Sequence, residues 1–294
     1  MNIYLVDGTY ELFRSYFGEL RNRRISQRKF TPILAVYGLI RSLLYLLRDR
    51  QVSHIAVAFD NVIESFRNDL YEGYKSSLGL PEDLLAQFPL AEQAVESLGI
   101  VVWSMIEFEA DDALATAATR FRENSEVEKI IICSPDKDFT QLVSGNEVVT
   151  WDRLKDNFYD ENSVKKRFGV NPKSIPDYLA LVGDNSDGIP GIPRWGAKSA
   201  ATVLSCYKSI DEIPMNADEW AVRVRGKHAL SSNLKNGLDD ARLFRLLSTL
   251  RQDVPLTENL SEIAWNGVPR AKFHHFCSRF GFIELDKLPH LWQE

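Results

Sequence analysis

Cysteine, histidine and long apolar runs are scarce in this sequence. Three cysteines and five histidines in 294 residues are too few for a disulfide framework, and their spacing matches no zinc motif. The longest apolar stretch runs from Pro32 to Leu47 and is interrupted by Arg41, so it predicts a buried amphipathic helix rather than a membrane span. The first residues also lack the basic leader of a signal or transit peptide. We therefore expect a cytoplasmic protein that does not bind membranes.

An excess of positive charge is also missing. The formal net charge is −6, which argues against a polyanionic partner. Basic residues are nevertheless concentrated in short runs: Arg21, Arg23, Arg24, Arg28 and Lys29; Lys165, Lys166 and Arg167; Arg223, Arg225 and Lys227. Each run alone is more typical of a solvated surface than of a binding patch, but their number keeps nucleic acid among the candidate partners.

What the sequence does contain is carboxylate in short clusters. The clustered acids are Asp7, Asp60, Glu109, Asp111, Asp112, Asp136, Asp138, Asp184 and Asp187. Carboxylates gathered in one pocket repel one another, so they need a compensating positive charge, and hard divalent cations with oxygen ligands supply it. The pattern predicts a phosphodiesterase that binds two Mg²⁺ or Mn²⁺ ions.

Short apolar runs alternate with helical stretches in the first half of the chain. The predicted strands are Asn2–Val6, Ile55–Phe59, Ile100–Trp103, Lys129–Cys133 and Glu147–Thr150. This alternation predicts an α/β fold with a mainly parallel sheet. Thr31 and Pro32 indicate the start of a helix that ends near Arg48. Pro81 indicates the start of another, which Pro89 must kink or restart.

The acids lie where an α/β sheet binds ligands. Asp7, Asp60 and Asp136 follow the first, second and fourth predicted strands, and ligand sites in open sheets lie beyond the carboxyl ends of the strands. The cluster that begins at Glu109 follows the third strand at the start of a helix, whose N-terminus stabilises negative charge. A single Asp in such a place is more often an ordinary turn or cap residue. Four strand ends together predict one acidic crevice.

The last third of the chain has a helical pattern and contains a turn rich in glycine. Gly191 and Gly196 have the glycine spacing of a P-loop. Ala197, however, separates the second glycine from Lys198 and no strand precedes the turn, which argues against a nucleoside-triphosphate site. The N–H groups at the start of the following helix, near Ser199, instead suit a backbone phosphate of a nucleic acid. A plain helix–turn–helix packing unit is the alternative.

Several motifs occur in an order that is typical of one enzyme family. They are Leu5-Val6-Asp7-Gly8, Ala58-Phe59-Asp60, Ser65-Phe66-Arg67, Gly73-Tyr74-Lys75, Glu109-Ala110-Asp111-Asp112, Asp136-Lys137-Asp138-Phe139 and Gly183-Asp184-Asn185-Ser186-Asp187. On these residues the chain resembles the bacterial 5′→3′ exonucleases, including the 5′-nuclease domain of bacterial DNA polymerase I, and more distantly the flap endonucleases. The motifs cover most of residues 1–205. Because the chain ends near residue 294 without a polymerase portion, we expect a stand-alone nuclease.

The resemblance implies a fold, a domain organisation and an activity. The expected fold is a PIN-like α/β core over residues 1–173, with a helical arch at about 62–86. A helix–three-turn–helix element and further DNA-binding helices are expected over residues 174–294. The implied activity is that of a structure-selective 5′→3′ exonuclease or flap endonuclease. It would act on DNA 5′ ends, flaps or nicks, and on RNA–DNA junctions, leaving 5′-phosphate and 3′-hydroxyl products.

The resemblance also assigns roles residue by residue. One metal ion would be held by Asp7, Asp60 and Asp111, with Glu109 partly through water, and a second by Asp136, Asp138 and Asp187, with Asp112 and Asp184 in support. The residues expected to reach the reacting phosphate from the base of the arch are Lys75 and Arg67. Those expected to contact nucleic acid are Arg14, Tyr74, Gly191, Gly196, Lys198 and Ser199.

The sequence departs from the family pattern in the arch and in the hairpin. Lys75 is followed by Ser76-Ser77-Leu78-Gly79-Leu80, so the predicted arch is less basic than usual and threading of a 5′ strand is left open. Gly188 stands where an Asn is usual. Pro193-Arg194-Trp195 replaces the usual hairpin residues. Members of the family often bind K⁺ in that hairpin through backbone carbonyls, and this replacement leaves K⁺ binding open.

Proteins of other classes would share parts of this pattern. A branched-DNA-binding protein that no longer cleaves would keep the fold, although every matched acidic position is occupied here. A Mg²⁺-dependent phosphatase of the haloacid-dehalogenase type needs a nucleophilic Asp-x-Asp after the first strand, whereas Asp7 is followed by Gly8 and Thr9. The first alternative differs from the favoured interpretation in cleavage alone, so an assay separates them.

Overall fold

The computed structural model describes residues 1–26, 33–50 and 52–293, and the side chains of residues 19–26 lie outside that description. In chain order the strands are β1 (Asn2–Asp7), β2 (His54–Asp60), β3 (Val101–Met105), β4 (Lys129–Cys133), β5 (Val148–Asp152), β6 (Asn157–Tyr159), β7 (Val268–Pro269) and β8 (Trp292–Gln293). The helices are α1 (Gly8–Ser26), α2 (Leu34–Asp49), α3 (Phe66–Leu70), α4 (Glu82–Leu85), α5 (Phe88–Ser97), α6 (Ala110–Arg122), α7 (Glu161–Phe168), α8 (Ile175–Val182), α9 (Ala197–Tyr207), α10 (Lys227–Asn236), α11 (Leu238–Ser248) and α12 (Arg270–Phe280).

The chain forms two compact units, each made of segments that are separate in sequence. Unit 1 comprises Met1–Ile63, Ser77–Cys133 and Gln252–Glu294, and unit 2 comprises Glu64–Ser76 and Ser134–Arg251. The predicted domains, residues 1–173 and residues 174–294, stay predictions. So does the arch at residues 62–86, whose described residues include α3 and α4.

A parallel sheet forms the centre of unit 1. Its described strands lie side by side in the order β3-β2-β1-β4, and Leu5 of β1 is opposite Ala56 of β2 and Ile132 of β4. After its first residue, β1 is buried along its whole length, as expected for a parallel strand that is covered on both faces. Each of these strands overlaps a predicted one. The continuous apolar runs were sufficient to place them.

The helices of unit 1 bury apolar residues at helical spacing. α2 buries Leu39, Leu43 and Leu47 and ends one residue beyond the predicted end. Thr31 and Pro32, which predict its start, lie outside the described residues. None of the described helices combines the length and the apolar character that a membrane crossing requires.

Pro89 lies in the first turn of a new helix, as predicted. α4 ends at Leu85, and α5 begins at Phe88 with Pro89 in its first turn. Proline has no N–H to donate to the preceding turn, so one continuous helix is not favoured, whereas a first-turn position costs nothing. The segment from Val62 to Leu80 lies within the predicted arch and contains the short helix α3, whose N-cap Ser65 accepts a hydrogen bond from Arg67 N.

The segment from residue 252 to the C-terminus packs within unit 1. α12 buries Phe273 and Cys277, and Trp265 Nε1 donates a hydrogen bond to Leu98 O, just beyond α5, at 2.9 Å. Burial, together with the charge of Asp286, raises the pKa of Cys277 to about 12, so this thiol is a core residue rather than a nucleophile. This segment therefore enlarges the core of unit 1.

Unit 2 is mainly helical and has its own hydrophobic core. The antiparallel pair β5 and β6 precedes α7; β6 was not predicted, since a three-residue strand has too little periodicity to detect. Trp195, which departs from the family pattern, is 5% exposed and belongs to the core of unit 2. Its Nε1 donates to Leu230 O at 3.1 Å, so the ring fills the interior rather than the hairpin surface.

Candidate active site

Two acids of unit 1 end neighbouring strands. Asp7 is the last residue of β1, and Asp60 is the last residue of β2. Asp7 Oδ1 accepts a hydrogen bond from Tyr10 N in α1 at 2.8 Å, and Asp60 Oδ1 accepts one from Ala110 N, the first residue of α6, at 2.7 Å. Each carboxylate thus lies at a helix N-terminus, where backbone N–H groups and the helix dipole stabilise negative charge.

The other acids of unit 1 begin α6. Asp112 Oδ2 accepts a hydrogen bond from Glu109 N at 3.1 Å in a capping arrangement. Glu109 is 3% exposed, Asp112 is fully buried and Asp111 is partly exposed. Since Asp60 holds Ala110 N, the structure gathers Asp60 and this motif at one helix start, as the strand-end argument predicts. Their roles as metal ligands stay predictions.

Unit 2 contains a close group of carboxylates. Among the described residues, Asp138, Asp184 and Asp187 each offer an oxygen that lies within 4.8 Å of the others. Asp138 and Asp184 are buried, at 6% and 4% exposure. Burial first, and then the charges of Asp136, Asp187 and Asp184, raise the pKa of Asp138 well above its ordinary value. Burial and the negative charges around Asp138 therefore outweigh the positive charge of the neighbouring Lys137.

A metal ion fits this group. Asp138 Oδ1 is buried and has no hydrogen-bond partner among the described residues, and a buried oxygen of this kind is costly unless a donor or a cation reaches it. Carboxylate oxygens are the ligands that Mg²⁺ and Mn²⁺ prefer. The donor set of the predicted second metal site is thus chemically suited to a hard divalent cation.

Asp136 is placed differently from its neighbours. It is exposed, and its Oδ1 accepts a hydrogen bond from Asp138 N at 3.0 Å. This contact shapes the turn that carries Asp138. Asp136 is outside the close group, whereas Asp184, expected only in support, is inside it. The assignment of Asp136 as a direct ligand stays a prediction.

Lys137 is a site residue to which the sequence analysis gave no role. Its Nζ lies 2.5 Å from Asp184 Oδ2. Burial opposes the charge of Asp184, but hydrogen bonds from Lys137 and Ser186 outweigh it and lower the pKa of that carboxyl. Burial likewise opposes the charge of Lys137, yet its bond to Asp184 and the neighbouring acids raise its pKa. The signal in the sequence was a lysine between two candidate ligands.

Lys75 lies beside the acidic group of unit 2. Its Nζ is 3.4 Å from Asp187 Oδ1, and its N donates to Asp187 O at 3.0 Å. The structure thus brings together the lysine and an acid that the sequence separates by more than a hundred residues. Tyr74 is 5% exposed and lies in the core of unit 2, so a role for it in contacting nucleic acid stays a prediction that this burial does not favour.

Arg67 is the largest of the fully buried side chains, at 1% exposure. Its Nε donates to Leu247 O at 2.8 Å and its Nη2 to Thr249 O at 3.1 Å. These carbonyls are at the C-terminal end of α11, where helix carbonyls lack intrahelical partners. Contact between Arg67 and the reacting phosphate stays a prediction, and the geometry indicates a structural role.

Arg14 is held by a buried acid of its own helix. Its Nη2 donates to Glu11 Oε2 at 2.5 Å and to Ser42 Oγ at 2.9 Å. Glu11 is fully buried, and nothing in the local pattern of α1 distinguished it from a solvated residue. The network fixes one end of the guanidinium, while the predicted contact of Arg14 with nucleic acid is untested.

The hairpin before α9 has the tight turns that its glycines suggest. Gly191 has φ of 73°, and a Cβ there would come within 2.5 Å of Gly183 N, so only glycine fits. Gly196 caps α9 and donates its N–H to Ser199 Oγ at 3.0 Å, and Lys198 is exposed. The start of α9 is therefore accessible to an anion.

One carbonyl of the hairpin is already used within the protein, because Pro193 O accepts a hydrogen bond from Asn233 Nδ2 at 2.7 Å. K⁺ binding there stays a prediction. Of the basic runs, the one at residues 21–29 falls outside the described side chains. In the other two, Lys165 pairs with Glu161 and Lys227 pairs with Asp218, as residues of a solvated surface commonly do.

Family models cover nearly the whole chain. The N-terminal resolvase-like domain of 5′-3′ exonucleases matches residues 2–169, and the C-terminal SAM fold of 5′-3′ exonucleases matches residues 170–271. The chain belongs to the 5′-3′ exonuclease family. The resemblance inferred from the motifs is confirmed, and so is the prediction of a nuclease enzyme.

Relatives within the family include separate exonucleases and polymerases. The 5′-3′ exonuclease of Aquifex aeolicus is 35% identical over 219 residues, 74% of this chain and 74% of that protein. The 5′-3′ exonuclease of Buchnera aphidicola is 31% identical over 290 residues, 98% of this chain and 94% of that protein. DNA polymerase I of Caldicellulosiruptor bescii is 32% identical over 97% of this chain but only 34% of its own length.

The fold resembles that of a phage enzyme whose crystal structure is known. The crystal structure of the bacteriophage T5 D15 flap endonuclease, in a pseudo-enzyme–product complex with DNA and metal ions, has a TM-score of 0.66 and 16% identity, and covers 98% of this chain and all of that one. The predicted fold class, a PIN-like α/β core with a helical C-terminal region, is confirmed.

Proposed function

We propose that this chain is a metal-dependent 5′-nuclease that hydrolyses DNA at 5′ ends, flaps and nicks. The observation that carries the proposal is the close group of Asp138, Asp184 and Asp187, in which a buried oxygen of Asp138 has no hydrogen-bond partner within the described part of the chain. Such a group is poorly explained as a packing feature, because mutual repulsion and burial both oppose its charge. It is well explained as a set of cation ligands in a family of nucleases.

Each unit contributes its own acids to metal binding. In unit 1 the proposed ligands of one ion are Asp7, Asp60 and Asp111, with Glu109 partly through water and Asp112 in support. In unit 2 the proposed ligands of a second ion are Asp138 and Asp187, with Asp136 and Asp184. Mg²⁺ or Mn²⁺ suits these all-oxygen sets. When bound, such ions lower the pKa of coordinated water and stabilise charge on a phosphate.

Lys75 is the proposed cationic group for the reacting phosphate. Water adds to phosphorus and the bond to the 3′ oxygen breaks, which leaves a 5′-phosphate on one product and a 3′-hydroxyl on the other. Negative charge builds on the nonbridging oxygens during this step, and an ammonium group held in place beforehand offsets it. The position of Lys75 beside Asp187 supports this role.

The hairpin and the start of α9 are the proposed contact with duplex DNA. Gly196 and the exposed Lys198 lie at a helix N-terminus, where N–H groups and the dipole favour a phosphate. Contacts of this kind fix the position of a duplex without reading its sequence, as expected for an enzyme that recognises structure. The T5 relative, crystallised with DNA and metal ions, supports DNA as the substrate class.

Product mapping tests this proposal. The parent protein is incubated with 5′-flap, nicked and blunt duplexes of matched sequence, labelled at either end, in Mg²⁺, in Mn²⁺ or in EDTA. We expect cleavage near the 5′ junction, 5′-phosphate and 3′-hydroxyl ends, and no cleavage in EDTA. Two further reactions use a substrate whose 5′ strand is RNA, and a buffer in which Na⁺ replaces K⁺. Stoichiometric binding of the flap with no cut strand in either metal would indicate a branched-DNA-binding protein instead.

A further inference from the structure

Two backbone segments of unit 2 touch at Gly188. A Cβ on Gly188 would come within 2.0 Å of Gly73 O, which is far inside van der Waals contact. Next to this point, Lys75 N donates to Asp187 O at 3.0 Å. The segment Gly73–Lys75, called here the lysine segment, therefore lies directly against the loop from Asp184 to Ile189, and no side chain fits between them.

The loop has little freedom to move away. Asp184 N donates to Ile189 O at 2.7 Å, and Ile189 N donates to Asp184 O at 2.8 Å, so a pair of hydrogen bonds closes it. Gly188 itself has φ of 73°, which residues with a Cβ adopt only with strain. Ile189 is 1% exposed and belongs to the core of unit 2, which anchors the loop to the rest of the unit.

The lysine segment is anchored on its other side as well. Tyr74 is packed in the same core, and Asn68 Nδ2 donates to Lys75 O at 2.9 Å. Lys75 is thus held through both of its backbone groups, and its Nζ comes within 3.4 Å of Asp187 Oδ1. A displacement of the segment by even about 1 Å would alter where the ammonium group lies.

We infer that Gly188 is a positioning residue for Lys75. By carrying no side chain, it lets the loop that holds Asp184 and Asp187 also fix the pose of the lysine. The consequence for rate rests on the proposed function, in which Lys75 acts on the phosphate. A methyl group at position 188 must push the lysine segment outward, which breaks the bond between Lys75 N and Asp187 O and withdraws Nζ from the acid.

The test compares Gly188→Ala with Gly226→Ala. Gly226 has φ of 76°, and an added Cβ there meets nothing within 4 Å, so this control carries the backbone strain without the collision. The first readout is independent of activity: acetylation of Lys75 in the metal-free proteins, measured by mass spectrometry against the exposed Lys166. We expect Lys75 to react several-fold faster in Gly188→Ala than in the parent and the control. Equal rates in all three would overturn the inference.

The second readout is single-turnover cleavage of the 5′ flap in Mg²⁺. We expect Gly188→Ala to slow cleavage by about 100-fold with little change in the Kd for DNA, and Gly226→Ala to match the parent. In a Lys75→Ala background, Gly188→Ala should slow cleavage by no more than about twofold, since both changes act through one group. Full additivity would contradict the inference. A parent that does not cleave counts against the proposed function, while the acetylation result still decides the placement of Lys75.

Folding of the variant is checked by thermal unfolding. If Gly188→Ala does not fold, Asn68→Ala replaces it in both readouts, because it removes the opposite anchor of the lysine segment without adding an atom. We then expect faster acetylation of Lys75 and a cleavage defect that disappears in the Lys75→Ala background. An unchanged acetylation rate in Asn68→Ala would show that the anchors do not set the pose of the lysine.

Discussion

Lys137 and Asp184 form an ion pair inside unit 2, with Lys137 Nζ 2.5 Å from Asp184 Oδ2 and with 28% and 3% of their side chains exposed. Lys137 lies in the sequence between Asp136 and Asp138, so its ammonium group offsets the acids among which it is placed. In the metal-free protein this lysine supplies part of the positive charge that bound cations would otherwise supply.

We expect Lys137→Ala to destabilise the metal-free protein by about 2–4 kcal/mol, because it leaves the buried Asp184 without its cationic partner. Saturating Mg²⁺ should restore much of this loss, since an ion that binds the folded state replaces the missing charge. Urea unfolding in EDTA and in Mg²⁺ measures both. The control is Lys165→Ala, whose pair with Glu161 is exposed and is therefore expected to contribute little to stability. An equal loss with and without Mg²⁺ would contradict this account.

Asp138→Asn is expected to stabilise the metal-free protein near neutral pH by roughly 1–3 kcal/mol, because it replaces a buried carboxyl whose ionisation the folded state opposes. The pKa of Asp138 is raised in the folded state from its ordinary value of 3.8. The folded protein therefore holds this proton where the unfolded chain has released it, and the parent loses stability as the pH rises from about 3.8 through the folded pKa.

The difference between parent and Asp138→Asn should therefore vanish below pH 3.8 and reach its full size above the folded pKa. Urea unfolding of both proteins in EDTA across this range measures it. Affinity for Mn²⁺, followed by electron paramagnetic resonance, should fall by roughly tenfold or more because a ligand is lost. The exposed Asp239 offers a matched control, Asp239→Asn. A stability difference that does not change with pH would show that ionisation of Asp138 does not destabilise the folded protein.

Lys75→Ala is expected to slow the chemical step by about 10²–10³-fold, since the developing charge on the phosphate loses a cationic partner. The Kd for the flap substrate should change by less than about threefold, because one phosphate contact contributes little to total affinity. Single-turnover kinetics and equilibrium binding separate the two effects. Lys155→Ala, at a side chain that is 68% exposed, is the control. A loss of affinity with an unchanged rate would refute the assigned role.

Arg67→Met is expected to destabilise the protein by about 3–5 kcal/mol, because it leaves Leu247 O and Thr249 O without their charged donor in a buried place. Arg67→Lys should not rescue it, since an ammonium group cannot reproduce a planar fork. Activity should fall in step with the folded fraction measured by circular dichroism. Arg67 and Arg251 both lie over the Phe66 ring. Arg251→Met is therefore the control. A variant that is as stable as the parent but no longer cleaves would instead support the predicted contact of Arg67 with the reacting phosphate.

Strands and acids were within reach of sequence reasoning because both depend on neighbours along the chain. The apolar run before Asp7 is a buried parallel strand in the structure, and its end places the acid at the start of α1. The order of the motifs was likewise enough to identify the family. Arg67 was outside such reasoning, since the carbonyl acceptors of its donors come some 180 residues later, and local patterns do not report contacts at that separation.

The sequence alone was therefore enough to identify the clustered acids, the strands that precede them and the family. Periodicity, turn chemistry and motif order are local properties that can be read along the chain. Folding in three dimensions settled the rest: that Asp184 and Asp187 lie close to Asp138, that Lys137 pairs with Asp184, and that Arg67 is buried. Those outcomes depend on distances, and on the exclusion of water, between segments that are far apart in sequence. Burial changes the energy of a charged side chain far more than its neighbours along the chain do.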